Sequence, residues 1–103
     1  AYMRVDRPGL GDSQGPPCSR CDLQQDLNAF EAAFKAFKLN PNVDSTNIFV
    51  FGASIGGALA PVLMQNENPR GIIVANTFSR SWFEHFIDFE RTRLQLSGQP
   101  FSA

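Results

Sequence analysis

Residues 47–64 read NIFVFGASIGGALAPVLM, and no other stretch narrows the folds open to this chain so much. A continuous apolar run at residues 48–51 ends in Gly52-Ala53-Ser54-Ile55-Gly56, and a second apolar segment follows at helical spacing. The pattern is strand, sharp turn, helix, with a serine at the apex. Such a turn brings backbones close together. Glycine is expected at Gly52 and Gly56, because a side chain at either would strike the neighbouring strand or helix. The serine hydroxyl is then held out of the sheet at a helix N-terminus, where unpaired N–H groups and the helix dipole favour developing negative charge. The plainer alternative is a glycine-rich turn carrying an ordinary serine. A phosphate loop fits worse: Gly52, Gly56 and Gly57 do not make G-x-G-x-x-G, and no Gly-Lys-Ser/Thr follows.

The flanking segments extend the alternation. Residues 2–6 read as a short strand, followed by the loop RPGLGDSQGPP, whose prolines and glycines forbid regular structure. Residues 22–39 form the clearest helix. Asp22 is the expected N-cap with Gln25 as its capping-box partner, and Leu23, Leu27, Phe30, Phe34 and Phe37 share one face. Glu31 and Lys35 make a favourable i,i+4 pair on another face, and Asn40-Pro41 stops the helix. The elbow strand is expected at residues 47–51 and its helix at 54–66, with Pro61 costing a hydrogen bond or a kink. Residues 72–76 are a further apolar strand, suited to a sheet covered on both faces. Strand-helix alternation of this kind predicts an α/β fold with parallel strands, right-handed crossovers and three layers. Residues 77–97 start as a polar turn and continue as a helix, which Ser97-Gly98-Gln99-Pro100 breaks.

The Gly-x-Ser-x-Gly turn between strand and helix resembles the nucleophile elbow of the α/β-hydrolase superfamily. So does the upstream pattern Asp6-Arg7-Pro8-Gly9-x-Gly11-x-Ser13, which is similar to the loop after the fourth core strand of that family. The resemblance implies a partial hydrolase core over residues 1–76 and a lid or cap segment over residues 77–103. It implies Ser54 as nucleophile, the Ile55 backbone N–H as one oxyanion-hole donor, and Trp82 and Phe83 as residues lining a substrate pocket. The reaction would be acyl transfer to water from a small-molecule ester, thioester or amide, as in the esterases and peptidases of the family. No cofactor and no metal are implied. The rival reading is a non-catalytic α/β binding module that keeps the elbow as scaffold.

The chemistry also needs a base and an orienting carboxylate, which in this family follow the serine after later strands. The one histidine, His85, lies in a helical segment, with Asp88 one turn on. That is helical geometry and not the geometry of a triad, so the acid and base are expected outside this chain. The third-strand loop that gives the second oxyanion donor would also lie outside it. In the family a further strand runs between those corresponding to residues 2–6 and 47–51. The chain therefore reads as a fragment, inactive alone, whose open strand edges invite self-association.

Composition excludes other classes. A net charge of -1 offers no basic surface for nucleic acid or an anionic membrane. No apolar run reaches the roughly 18 residues of a membrane span, and AYMRVDRPGL has no signal-peptide core. Cys18 and Cys21 form a C-x-x-C without further ligands at metal spacing, which favours two plain thiols in a reducing, cytoplasmic setting.

Overall fold

A computed structural model describes residues 1–99; Pro100, the last residue of the expected helix-breaking turn, lies outside them. Two parallel strands, β1 (Phe49–Ala53) and β2 (Gly71–Ala75), pair in the register Phe49↔Gly71 to Ala53↔Ala75. Three α-helices accompany them: α1 (Leu23–Lys38), α2 (Ile55–Leu63) and α3 (Trp82–Leu96). The β1-α2-β2 unit is thus a crossover between parallel neighbours, as the alternation of patterns predicted.

α1 and α3 start where the sequence provides a side-chain cap. Asp22 accepts from Gln25 N–H at 2.8 Å while the Gln25 side chain accepts from Asp22 N–H at 3.0 Å. Ser81 and Glu84 repeat this capping box at the start of α3. At its end, Gln99 N–H donates to the Leu94 carbonyl and Gly98 N–H to that of Gln95, with Gly98 at φ 71°. These are the paired bonds of a Schellman termination, which needs glycine's tolerance of positive φ. α2 runs through Pro61 and ends two residues later.

The core is small. Phe34 of α1, Ile48 just before β1 and Met64 just after α2 are buried together, with Phe37, Val43, Val50 and Leu63 against them. Of the five-residue stripe on α1, Phe34 alone is buried, and Leu23 is exposed. The Glu31–Lys35 pair forms at 2.6 Å, and Lys38 reaches Glu67 at 3.1 Å, tying α1 to the turn after α2.

Two expectations are corrected. Residues 2–6 form no strand. An extended segment becomes a strand only when its N–H and C=O groups find a neighbour, and among the described residues β1 pairs with β2 alone. Nor is the arrangement three-layered. α2 packs on both strands and α1 packs on α2. Phe34 of α1 meets the same side of the sheet as Met64, through Ile48 and Val50. The other side, carrying Phe49, Phe51 and Ile73, is exposed. Among the described residues, α3 packs on neither strand and on neither other helix. The Cα radius of gyration is 17.1 Å, against about 13 Å for a compact domain of about 100 residues.

Candidate active site

The turn at Ser54 joins the end of β1 to the start of α2. Ser54 N–H continues the strand ladder by donating to the Ala75 carbonyl at 2.9 Å. Its carbonyl already serves the helix, accepting from Gly57 N–H at 3.0 Å. Between these two commitments the backbone takes φ 54° and ψ -123°. Side-chain-bearing residues rarely occupy that region, and it stores strain of about 1–3 kcal/mol. The chain reverses at one residue and leaves the serine exposed at the tip. A serine at an N-cap ordinarily accepts from an amide of the first turn. Ser54 does not, and among the described residues its hydroxyl has no hydrogen-bond partner. The Ile55 N–H that follows is the first amide of α2, which has no carbonyl one turn back within the helix.

The glycines divide differently from the expectation. A Cβ at Gly52 would fall against the Gly56 carbonyl, 2.6 Å from its carbon, so glycine there is a steric requirement. A Cβ at Gly56 would meet nothing within 4 Å, which corrects the predicted clash at that position. Gly56 is on the outside of the bend that Gly52 lines. The second required glycine is Gly57, whose Cβ would lie 2.6 Å from Thr77 Cβ and 2.7 Å from its Oγ1. Thr77 stands just past β2, so Gly57 lets the first turn of α2 close onto the end of the neighbouring strand. The expectation names Gly52 and Gly56; Gly57 follows Gly56 directly in the sequence, but its contact with Thr77 lies on another element. Asn76, just after the Ala75 carbonyl that Ser54 N–H reaches, is with Ser54 one of two non-glycine residues of positive φ among the described residues, at 51°. Asparagine tolerates that region better than most residues.

The remaining candidates lie on α3. Trp82 and Phe83 are exposed. The His85 ring stacks on Phe78 with centroids 4.4 Å apart and lies 5.8 Å from Trp82. Asp88 accepts from Arg80 at 2.9 Å. Neither side chain is bonded to the other or to Ser54, so the described residues bring no base to the hydroxyl.

The upstream loop folds onto α1. Arg7 donates to the buried Asp26 at 2.6 Å, and Ser13 Oγ donates to the Asp6 carbonyl at 2.8 Å. Cys21 Sγ lies 3.6–3.8 Å from the carbonyls of Pro8, Pro16 and Pro17. Burial, then the neighbouring Cys18 and Asp26, push the Cys21 thiol above its ordinary range, which disfavours the thiolate that redox or metal chemistry needs. Among the described residues no three His, Cys, Asp or Glu side chains gather as a metal site, and no helix is long and apolar enough to cross a membrane.

No family model matches the chain, and no solved structure matches it.

Proposed function

We propose that this chain is the nucleophile-bearing part of a serine hydrolase of the α/β-hydrolase type. The observation that carries the reading is the backbone of Ser54, φ 54° and ψ -123° between a parallel strand and a helix, with the hydroxyl uncapped. A serine whose only task was to cap α2 would have no reason to hold strain. A nucleophile does, because the strain projects Oγ past the end of the sheet.

The reaction follows from the parts. Ser54 Oγ attacks the carbonyl carbon of an ester, thioester or amide, and its proton passes to a general base. The oxyanion forms against the Ile55 N–H, and the acyl-enzyme appears as the protonated leaving group departs. Water then repeats the attack and restores the hydroxyl. The base, its carboxylate and the second oxyanion donor come from other segments of a longer parent. α3 belongs to a lid over the site, with Trp82 and Phe83 toward the substrate.

The chain alone is accordingly expected to hydrolyse p-nitrophenyl esters hardly above background. Loss of the histidine in such an enzyme costs about 10⁶-fold, and one missing oxyanion donor costs a further factor of about 10²–10³. A fluorophosphonate label distinguishes the cases. A longer parent should react rapidly, its Ser54→Ala form should not, and the isolated chain should react slowly. Rapid Ser54-dependent labelling of the isolated chain would show a base within it and remove the fragment reading. A second reading, a non-catalytic binding module, draws on the absence of a partner for Ser54 Oγ among the described residues. It requires that the parent also stay unlabelled.

A further inference from the structure

We propose that two copies of this chain associate by exchanging α3, each copy laying that helix on the other's bare sheet face. The proposal concerns this chain by itself, where α3 of one copy lies on the surface of the other's sheet opposite α2; the lid position over Ser54 belongs to the longer parent, and the proposal does not rest on the hydrolase reading.

Among the described residues two surfaces lack partners. On the sheet, Phe49, Phe51 and Ile73 project to the side that neither α1 nor α2 covers, and all three are more than half exposed. Parallel sheets are stable almost only with both faces covered, because their strands are apolar on both sides. On α3, Phe86 and Phe89 are also more than half exposed, and Trp82 and Phe83 continue their stripe toward the helix start. At about 100° per residue these four aromatics fall within about a third of the helix circumference.

The dimensions agree. A helix is about 10 Å across with its side chains, enough to cover two strands about 4.8 Å apart. α3 has 15 residues, a length of about 22 Å. The strands have five each, or about 17 Å. One helix therefore spans the whole face. The area also agrees. At about 200 Å² for each aromatic residue, the exposed parts of Phe49, Phe51, Phe86 and Phe89 come to about 450 Å² per copy. A two-fold exchange uses both surfaces of both copies, so it buries about 900 Å² from these rings alone. Ile73, Trp82 and Phe83 carry it past the roughly 1,000 Å² that a specific interface needs. A second copy supplies the missing element without any new surface, since the interface is self-complementary under a two-fold axis. Edge-to-edge strand pairing, the other route to self-association, would leave both aromatic surfaces in water.

The test is mass by light scattering on the full chain, with Phe51→Asp on the sheet and Phe86→Asp on α3. The wild type should have twice the mass of a monomer. Each variant alone should be monomeric, with a dissociation constant raised at least tenfold. Mixed together at raised concentration, the two variants should associate more than either does alone, though less than the wild type. The sheet of the Phe86→Asp copy is intact and so is the helix of the Phe51→Asp copy, so one of the two contacts survives. That rescue also shows that neither variant is merely unfolded. A monomeric wild type would overturn the proposal. A dimer that survives Phe86→Asp would assign the contact to the sheet alone, and one that survives Phe51→Asp to strand edges or to helix against helix. Either result would overturn it, as would a mixture that associates no more at raised concentration than the separate variants do.

Discussion

At Ser54, β1 ends and α2 begins on the same residue, and the surrounding glycines record what that requires. Gly52 faces the Gly56 carbonyl, and Gly57 faces Thr77. Gly52→Ala and Gly57→Ala should each lower stability by about 1–3 kcal/mol, the usual cost of forcing atoms into packed space. Gly56→Ala should instead raise it by about 0.5–1 kcal/mol, since alanine is the better helix residue and nothing is struck. Urea midpoints of the three variants check this, and equal losses at Gly52 and Gly56 would be the wrong outcome. Ser54 gives a second contrast. Ser54→Gly relieves a positive φ whereas Ser54→Ala keeps it, so the glycine form should be more stable by about 1 kcal/mol. Gly52 and Ser54 were legible in the sequence because strand, turn and helix are local patterns. The Gly57–Thr77 approach was not. It joins residues on different elements, and no local period encodes it.

Among the elements, the helices are specified at their ends. Asp22 with Gln25, and Ser81 with Glu84, fix where α1 and α3 start. Asp22→Ala should cost about 1 kcal/mol. The α3 cap also depends on pH. Hydrogen bonds from the Ser81 hydroxyl and backbone hold the Glu84 carboxyl below the usual glutamate range. A depressed folded-state pKa adds stability that is complete above the unfolded value. The stability is lost as pH falls through the folded one. α3 should therefore stay fully formed at neutral pH and fray in acid, below about pH 4. In Glu84→Gln, which keeps the box without titrating, the acid fraying should be smaller. Helicity by circular dichroism between pH 7 and 2.5 measures both chains. The Ser81-x-x-Glu84 pattern was as readable as the first box, and it marks the start of α3 to the residue. The segment at residues 2–6 shows the opposite case. Its alternation suits a strand, yet a strand is a property of a pair.

For the whole molecule, the elongated form follows from where α3 sits. Among the described residues the helix packs on no other element, and the radius of gyration of 17.1 Å is that of an elongated molecule. Stability should therefore be uneven. In the Phe51→Asp chain, amide exchange across α3 should be fast, with little protection, while β1, β2 and the buried side of α2 exchange slowly. Uniform protection would mean that α3 docks on its own core. The amino-acid sequence by itself determined the parallel pair with its crossover helix, the boxed start of α1 and the serine at the apex. Each of these rests on a short-range period, a cap or a tight turn. Only the tertiary structure decided that α1 and α2 cover the same side of the sheet. It also decided that residues 2–6 stay unpaired and that Gly57 rather than Gly56 is the packed glycine. An apolar strand residue has the same composition whichever neighbour buries it. Burial depends on where distant segments arrive, which periodicity does not carry.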